Sequence, residues 1–168
     1  MAMPAHAPTH RWTEEEFYAA RDAAPAGERW ELFVRLHAYV REQRIGTAYC
    51  APLDVKLEPG LVMQPDVLVV PAGHLRQHDD IVRALLLAAE VISPSSARFD
   101  RVIKRPRYQR HKVSEYCVID QEAETFERWQ PADERPAILS ERLTWHPSAA
   151  AVPFELDIPA FFREAKPL

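Results

Sequence analysis

Two short apolar runs constrain this chain more than any other feature. The first is Gln64-Pro65-Asp66-Val67-Leu68-Val69-Val70, and the second is Ala89-Glu90-Val91-Ile92-Ser93-Pro94-Ser95, followed by Asp100-Arg101-Val102-Ile103-Lys104. Each run is apolar, rich in β-branched residues and carries one carboxylate near its edge, the pattern of a buried strand bearing an acid. An ionised carboxylate beside a core strand is costly unless a cation pairs with it. Two such acids on neighbouring strands that shared a divalent metal would offset that cost. A lysine on the next element would complete a metal-assisted hydrolytic site.

The chain has 168 residues, enough for one domain with a substantial core, with residues 1–11 as a loose N-terminal tail. Its apolar and charged contents, 47% and 27%, are those of a globular protein, and no apolar run approaches membrane-spanning length. The first residues lack the basic and apolar regions of a secretory signal. Cys50 and Cys117 sit in strand-like surroundings without metal-type spacing, and are expected to be buried free thiols in a reducing cytoplasm. A net charge of −4 argues against a surface that attracts nucleic acid everywhere. Local binding is another matter, because seven of the 21 Lys and Arg residues fall between Arg98 and Lys112. The histidines show no paired ligand spacing and the four glycines form no phosphate loop, which argues against zinc and P-loop sites.

In chain order, Thr13 and Glu16 form a capping box for a helix over 13–23. Trp30, Phe33, Val34, Leu36 and Val40 predict a second helix over 30–44, stopped by Gly46. Alternation predicts a strand over 48–57, a turn at Glu58-Pro59-Gly60 and a hairpin partner over 61–70. A short polar helix or loop surrounds residues 77–80, and 85–92 reads as a central strand. A helix from Ala97 is expected to kink near Pro106. Strands are expected over 115–120, 125–130 and 137–145, the last at an edge, with a short strand and terminal turn over 154–162. The sum is a mixed sheet flanked by helices.

Several phrases together resemble the Uma-type restriction endonuclease family, a branch of the PD-(D/E)XK nuclease superfamily. They are Pro52-Leu53-Asp54-Val55-Lys56-Leu57, Gln64-Pro65-Asp66, Glu90-Val91-Ile92-Ser93-Pro94-Ser95-Ser96, the trio Asp100, Lys104 and Tyr108, and Val113-Ser114-Glu115-Tyr116 with Val118-Ile119-Asp120. Each is weak alone, but their order is specific, and they span most of the chain from Trp12 to about Phe162. The resemblance implies an α/β, restriction-endonuclease-like mixed sheet with an αβββαβ core and a divalent-metal phosphodiesterase site. It makes Asp66 the acid of the Pro-Asp motif, Glu90 the second metal-binding acid and Glu31 an acid near the start of the core. The superfamily's usual lysine position, two residues after the second acid, holds Ile92 here; Lys104 matches the lysine that Uma-type members carry on the following helix. A second departure lies after Glu31-Leu32, where the family has a hairpin and this chain runs straight into Phe33-Val34-Arg35-Leu36. If hairpin residues are missing from the sequence, 30–32 would instead end a strand.

The expected activity is Mg²⁺- or Mn²⁺-dependent endonucleolytic cleavage of DNA. Asp66, Glu90 and the Val91 carbonyl would hold the metal and Lys104 would orient the attacking water. Arg98, Arg101 and Arg105 would contact flanking phosphates. Cutting both strands needs two sites, which is consistent with a homodimer. The rival expectation is a nucleic-acid-binding or assembly protein that keeps the fold without the chemistry. For each residue there is also a purely structural reading: a turn acceptor for Asp66, a buried ion pair for Glu90, a surface pair with Asp100 for Lys104 and a solvated helix face for the arginines. Tyr108 reads as packing.

Overall fold

The computed structural model describes residues 27–74, 81–82, 84–93 and 96–166. The helix expected over 13–23, the segment around residues 77–80 and the Pro94-Ser95 helix start lie outside them.

Helix α1 spans Glu28–Gln43, with Leu32, Phe33, Leu36 and Val40 as its buried stripe. Arg44 ends it in the left-handed conformation. Gly46 then serves a different purpose from the expected stop. It begins β1 (Gly46–Cys50) opposite Pro71, and a Cβ there would lie 2.1 Å from the Val70 carbonyl oxygen, so only glycine lets the two strands pair. The single strand expected over 48–57 is two, because the chain turns at Ala51-Pro52 before β2 (Asp54–Glu58). Its hairpin partner is likewise divided into β3 (Leu61–Met63) and β4 (Val67–Pro71), with Gln64-Pro65-Asp66 between.

The remaining strands are β5 (Ile81–Val82), β6 (Leu87–Ile92), β7 (Glu115–Asp120), β8 (Thr125–Trp129), β9 (Ala137–Leu139), β10 (Arg142–Trp145) and β11 (Phe154–Asp157). The expected edge strand over 137–145 is thus two strands in two different sheets. Between β6 and β7 lie a π-helical segment, Phe99–Lys104, and α2, Arg105–Arg110, so Pro106 sits in the first turn of a new helix and does not kink an old one. Helix α3, Ile158–Ala165, extends beyond the expected terminal turn; the Asp157 carboxylate caps it by accepting from Ala160 N–H at 2.7 Å.

The main sheet runs β1-β4-β6-β7-β8-β9, antiparallel throughout except for the parallel β6–β7 pair. The mixed α/β architecture anticipated from sequence is therefore present. Alternation along the central strands divides the core. Val67, Val69, Leu87, Ala89, Cys117 and Ile119 face α1, α3 and the β10–β11 pair. Leu68, Val70, Ala88, Ile92, Tyr116 and Val118 face the β2–β3 hairpin and Tyr108 of α2. Both cysteines are free, but Cys117 is buried whereas Cys50 is only partly so. No described helix is long and apolar enough to cross a membrane.

Glu115 is an acid in this core, 1% exposed, with Arg128 Nε 3.7 Å from its carboxylate and Gln130 Nε2 3.4 Å away. Burial pushes its carboxyl up to about 7, against the pull of Gln130 and Arg128. A folded-state value above the unfolded one means that the stabilisation is complete below about pH 4 and lost as pH rises towards 7. Glu115→Gln should therefore gain on the wild type by roughly 2–3 kcal/mol between pH 5 and pH 8 in urea unfolding. An equal difference at both pH values would show that Glu115 ionises freely in the fold.

Candidate active site

The strand register explains why two acids meet. Val67 pairs with Ala89 and Leu68 with Ala88, so the next position along places Asp66 opposite Glu90 on the same side of the sheet. Directly opposed residues of antiparallel strands hold their Cβ atoms about 4.5–5.5 Å apart. Glu90 is in phase with Ala88 and Ile92, the side covered by the π-helical segment, and is 3% exposed. Ile92, at the superfamily's usual lysine position, packs in the apolar core on that side.

The cation comes from the helix instead. Lys104 Nζ lies 2.9 Å from Glu90 Oε1 and 3.0 Å from Asp100 Oδ1. Asp100 is itself buried, and its carbonyl accepts from the Tyr116 hydroxyl at 3.1 Å. The expected Asp100–Lys104 pair is thus present, but it is buried and shared with the strand acid. In the wide turn Arg105 N–H reaches the Asp100 carbonyl, five residues back. Asp100, Lys104 and Tyr108 point inward, while Phe99, Val102 and Ile103 are left exposed.

Burial pushes the Glu90 carboxyl up to about 8, although Lys104 pulls the other way. Burial also disfavours charge on Lys104, yet Glu90 and then Asp100 more than offset it and raise the lysine. The contact is an ion pair without hydrogen-bond alignment, since Glu90 Oε1 is buried and accepts no well-directed bond. Tyr108 stacks against Tyr116 at 4.7 Å between ring centroids, and its hydroxyl is also buried without a bond partner. Burial first, then the fields of Glu90 and Asp100, keep that phenol neutral.

Asp66 is held differently. Its Oδ2 accepts from Val91 N–H at 2.8 Å, and its Oδ1 is paired with Arg29 of α1 at 2.5 Å. Val91 therefore joins the site through its N–H, locking the Pro-Asp turn to β6. The donor set suits a hard divalent cation. Two opposed carboxylates supply oxygen, one of whose atoms is buried without a directed bond, and Mg²⁺ takes one or two carboxylates and completes its shell with water. No cluster of three or more His, Cys, Asp or Glu side chains among the described residues offers a closed cage.

The other expected residues are dispersed. Glu31 pairs with Arg35 at 2.6 Å, and Arg35 also reaches Glu164 of α3; none of these contacts involves Asp66 or Glu90. Arg101 is tied to Glu127 and to Asp120, clamping the π-helical segment onto β7 and β8. Arg105 bonds the Arg101 carbonyl and Gln109, and stacks over Trp129 at 4.6 Å. Arg98 is exposed. Sequence reasoning missed Arg29, whose contact depends on where α1 begins relative to β4, and no local pattern marks it.

Comparison with known proteins identifies the family and the fold. The family model described as "Uma2: Putative restriction endonuclease" matches residues 3–160. The chain is also similar to the crystal structure of a putative nuclease belonging to DUF820 from Anabaena variabilis, with a TM-score of 0.67 and 19% identity over 83% of this chain and 80% of that one. At that identity the likeness establishes the fold. No curated protein matches the chain.

Lys104→Met should leave Glu90 and Asp100 facing each other uncompensated. We expect a loss of roughly 3–5 kcal/mol at pH 8, smaller at pH 5.5 where the Glu90 carboxyl is protonated, and partly recovered by Glu90→Gln in the same chain. Chemical denaturation at both pH values checks this; a loss below roughly 1 kcal/mol would place the lysine in an ordinary surface pair.

Proposed function

The chain belongs to the Uma2 family of putative restriction endonucleases, and from that premise we propose that it is a divalent-metal-dependent endonuclease that hydrolyses DNA phosphodiester bonds. The observation that supports this best is the opposed pair Asp66 and Glu90, with Lys104 held against Glu90 by a second buried acid.

In this reading Asp66 and Glu90, with the Val91 carbonyl, would hold Mg²⁺ or Mn²⁺. When bound, the metal would lower the pKa of a coordinated water and neutralise charge on the scissile phosphate. Lys104 would donate hydrogen bonds to the attacking oxygen or to the phosphate as its charge grows, and Asp100 would keep the ammonium positioned independently of Glu90. Tyr108 and Tyr116 close the back of the site with apolar rings, which keeps bulk water from screening the charges. Arg98 is the exposed candidate for a flanking phosphate, whereas Arg101 and Arg105 act first by fixing the helix that carries Lys104. Glu31 acts on the packing of α1 against α3 through Arg35.

Nicking of supercoiled plasmid in Mg²⁺ or Mn²⁺ tests the proposal. The wild type should nick only with metal, and Asp66→Asn and Lys104→Gln, each confirmed folded, should lower the rate on the order of 100-fold or more. A folded wild type that binds DNA but cuts neither duplex, single strand nor RNA would favour the binding protein with an inert site.

A further inference from the structure

The two acids of the site are each covered by a cation, but the covers differ in kind. Lys104 is 14% exposed and held by two carboxylates, so losing Glu90 still leaves it Asp100. Arg29 is 53% exposed, and Asp66 is its one carboxylate partner among the described residues. Asp66 has no spare oxygen in this arrangement, because Oδ2 is committed to Val91 N–H and Oδ1 to the guanidinium. A divalent cation that takes Oδ1 must therefore compete with Arg29, which has no second carboxylate within ion-pair distance among the described residues.

We infer that Arg29 is an exchangeable counterion: it occupies Asp66 in the metal-free protein, yields that oxygen to the divalent cation, and re-pairs with a phosphate of the nucleic acid. This rests on the nuclease reading and adds a phosphate-binding residue to it. With every group ionised, Asp66, Glu90, Asp100, Arg29 and Lys104 carry one net negative charge; a divalent ion reverses the sign, and one phosphodiester restores neutrality. The released guanidinium stands beside that phosphate, whose oxygens match its forked donors as well as a carboxylate does. Its position in the first turn of a 16-residue helix fixes the backbone end, so only the side chain has to swing.

The exchange makes predictions of opposite sign for one substitution. Free Mn²⁺ is read by electron paramagnetic resonance with the full chain and no nucleic acid, and binding of a short fluorescein-labelled DNA duplex is read by anisotropy in Ca²⁺. Arg29→Gln should bind Mn²⁺ roughly threefold to fivefold more tightly than the wild type, the range set by an exposed ion pair. The same variant should bind duplex roughly tenfold more weakly, with the salt dependence reduced by about one phosphate contact. Arg29→Lys should fall between on both readings. A merely structural arginine would not raise metal affinity. If Arg29→Gln leaves Mn²⁺ affinity unchanged or lowers it, or leaves duplex binding unchanged, the inference is overturned while the nuclease reading stands. If the wild type binds no Mn²⁺, or Asp66→Asn binds it as well as the wild type, the nuclease reading fails and takes the inference with it.

Discussion

The placement of one ammonium between two buried carboxylates governs the rest of this structure. Lys104 bridges Glu90 on a central strand and Asp100 on the segment above it, at 2.9 and 3.0 Å. Without the lysine burial would push the strand acid higher still, and without Asp100 the lysine would have no hold independent of Glu90. The bridge also joins layers, tying β6 to the π-helical segment just as Arg101 ties that segment to β7 and β8. The segment is thereby anchored from both sides, as orientation of a reacting group would require in the proposed function.

The fold reaches this arrangement by ordinary means. Period-two alternation sends Val67, Val69, Leu87 and Ala89 to one face and leaves the positions between them for the other. Asp66 and Glu90 fall on that second face where pairing of β4 with β6 ends, Glu90 buried and Asp66 partly exposed. The wide helical turn then inverts the usual distribution, with Asp100 and Lys104 inward and Phe99, Val102 and Ile103 outward. A surface helix of ordinary amphipathic pattern would do the reverse.

Charge in this protein is managed by pairing rather than by exposure. Glu115 has a distant arginine and an amide, Glu90 a lysine without hydrogen-bond alignment, and both carboxyls are pushed upward by burial. The two sites differ in access. Glu115 lies at the inner end of β7 beside Leu87, whereas Glu90 stands next to the partly exposed Asp66. The metal role is therefore proposed for Glu90, beside Asp66, and not for Glu115.

By itself the sequence determined the strands that carry Asp66 and Glu90, the mixed sheet, the Asp100–Lys104 spacing and the family, because period and short-range spacing are local properties. It misplaced the breaks at Ala51-Pro52 and Gln64-Pro65-Asp66 and ran two edge strands into one, since apolar alternation continues across turns that only pairing partners interrupt. It marked Arg101 and Arg105 as phosphate contacts because clustered positive charge looks the same whether or not Glu127, Asp120 and Trp129 lie beneath it. The tertiary structure alone decided that Lys104 reaches Glu90, that Val91 presents its N–H to Asp66, that Glu31 lies with Arg35, and that Arg29 covers the acid of the Pro-Asp turn. Each of these contacts joins side chains from separate elements, and the energy that selects them is set by register and helix placement, which no local pattern encodes.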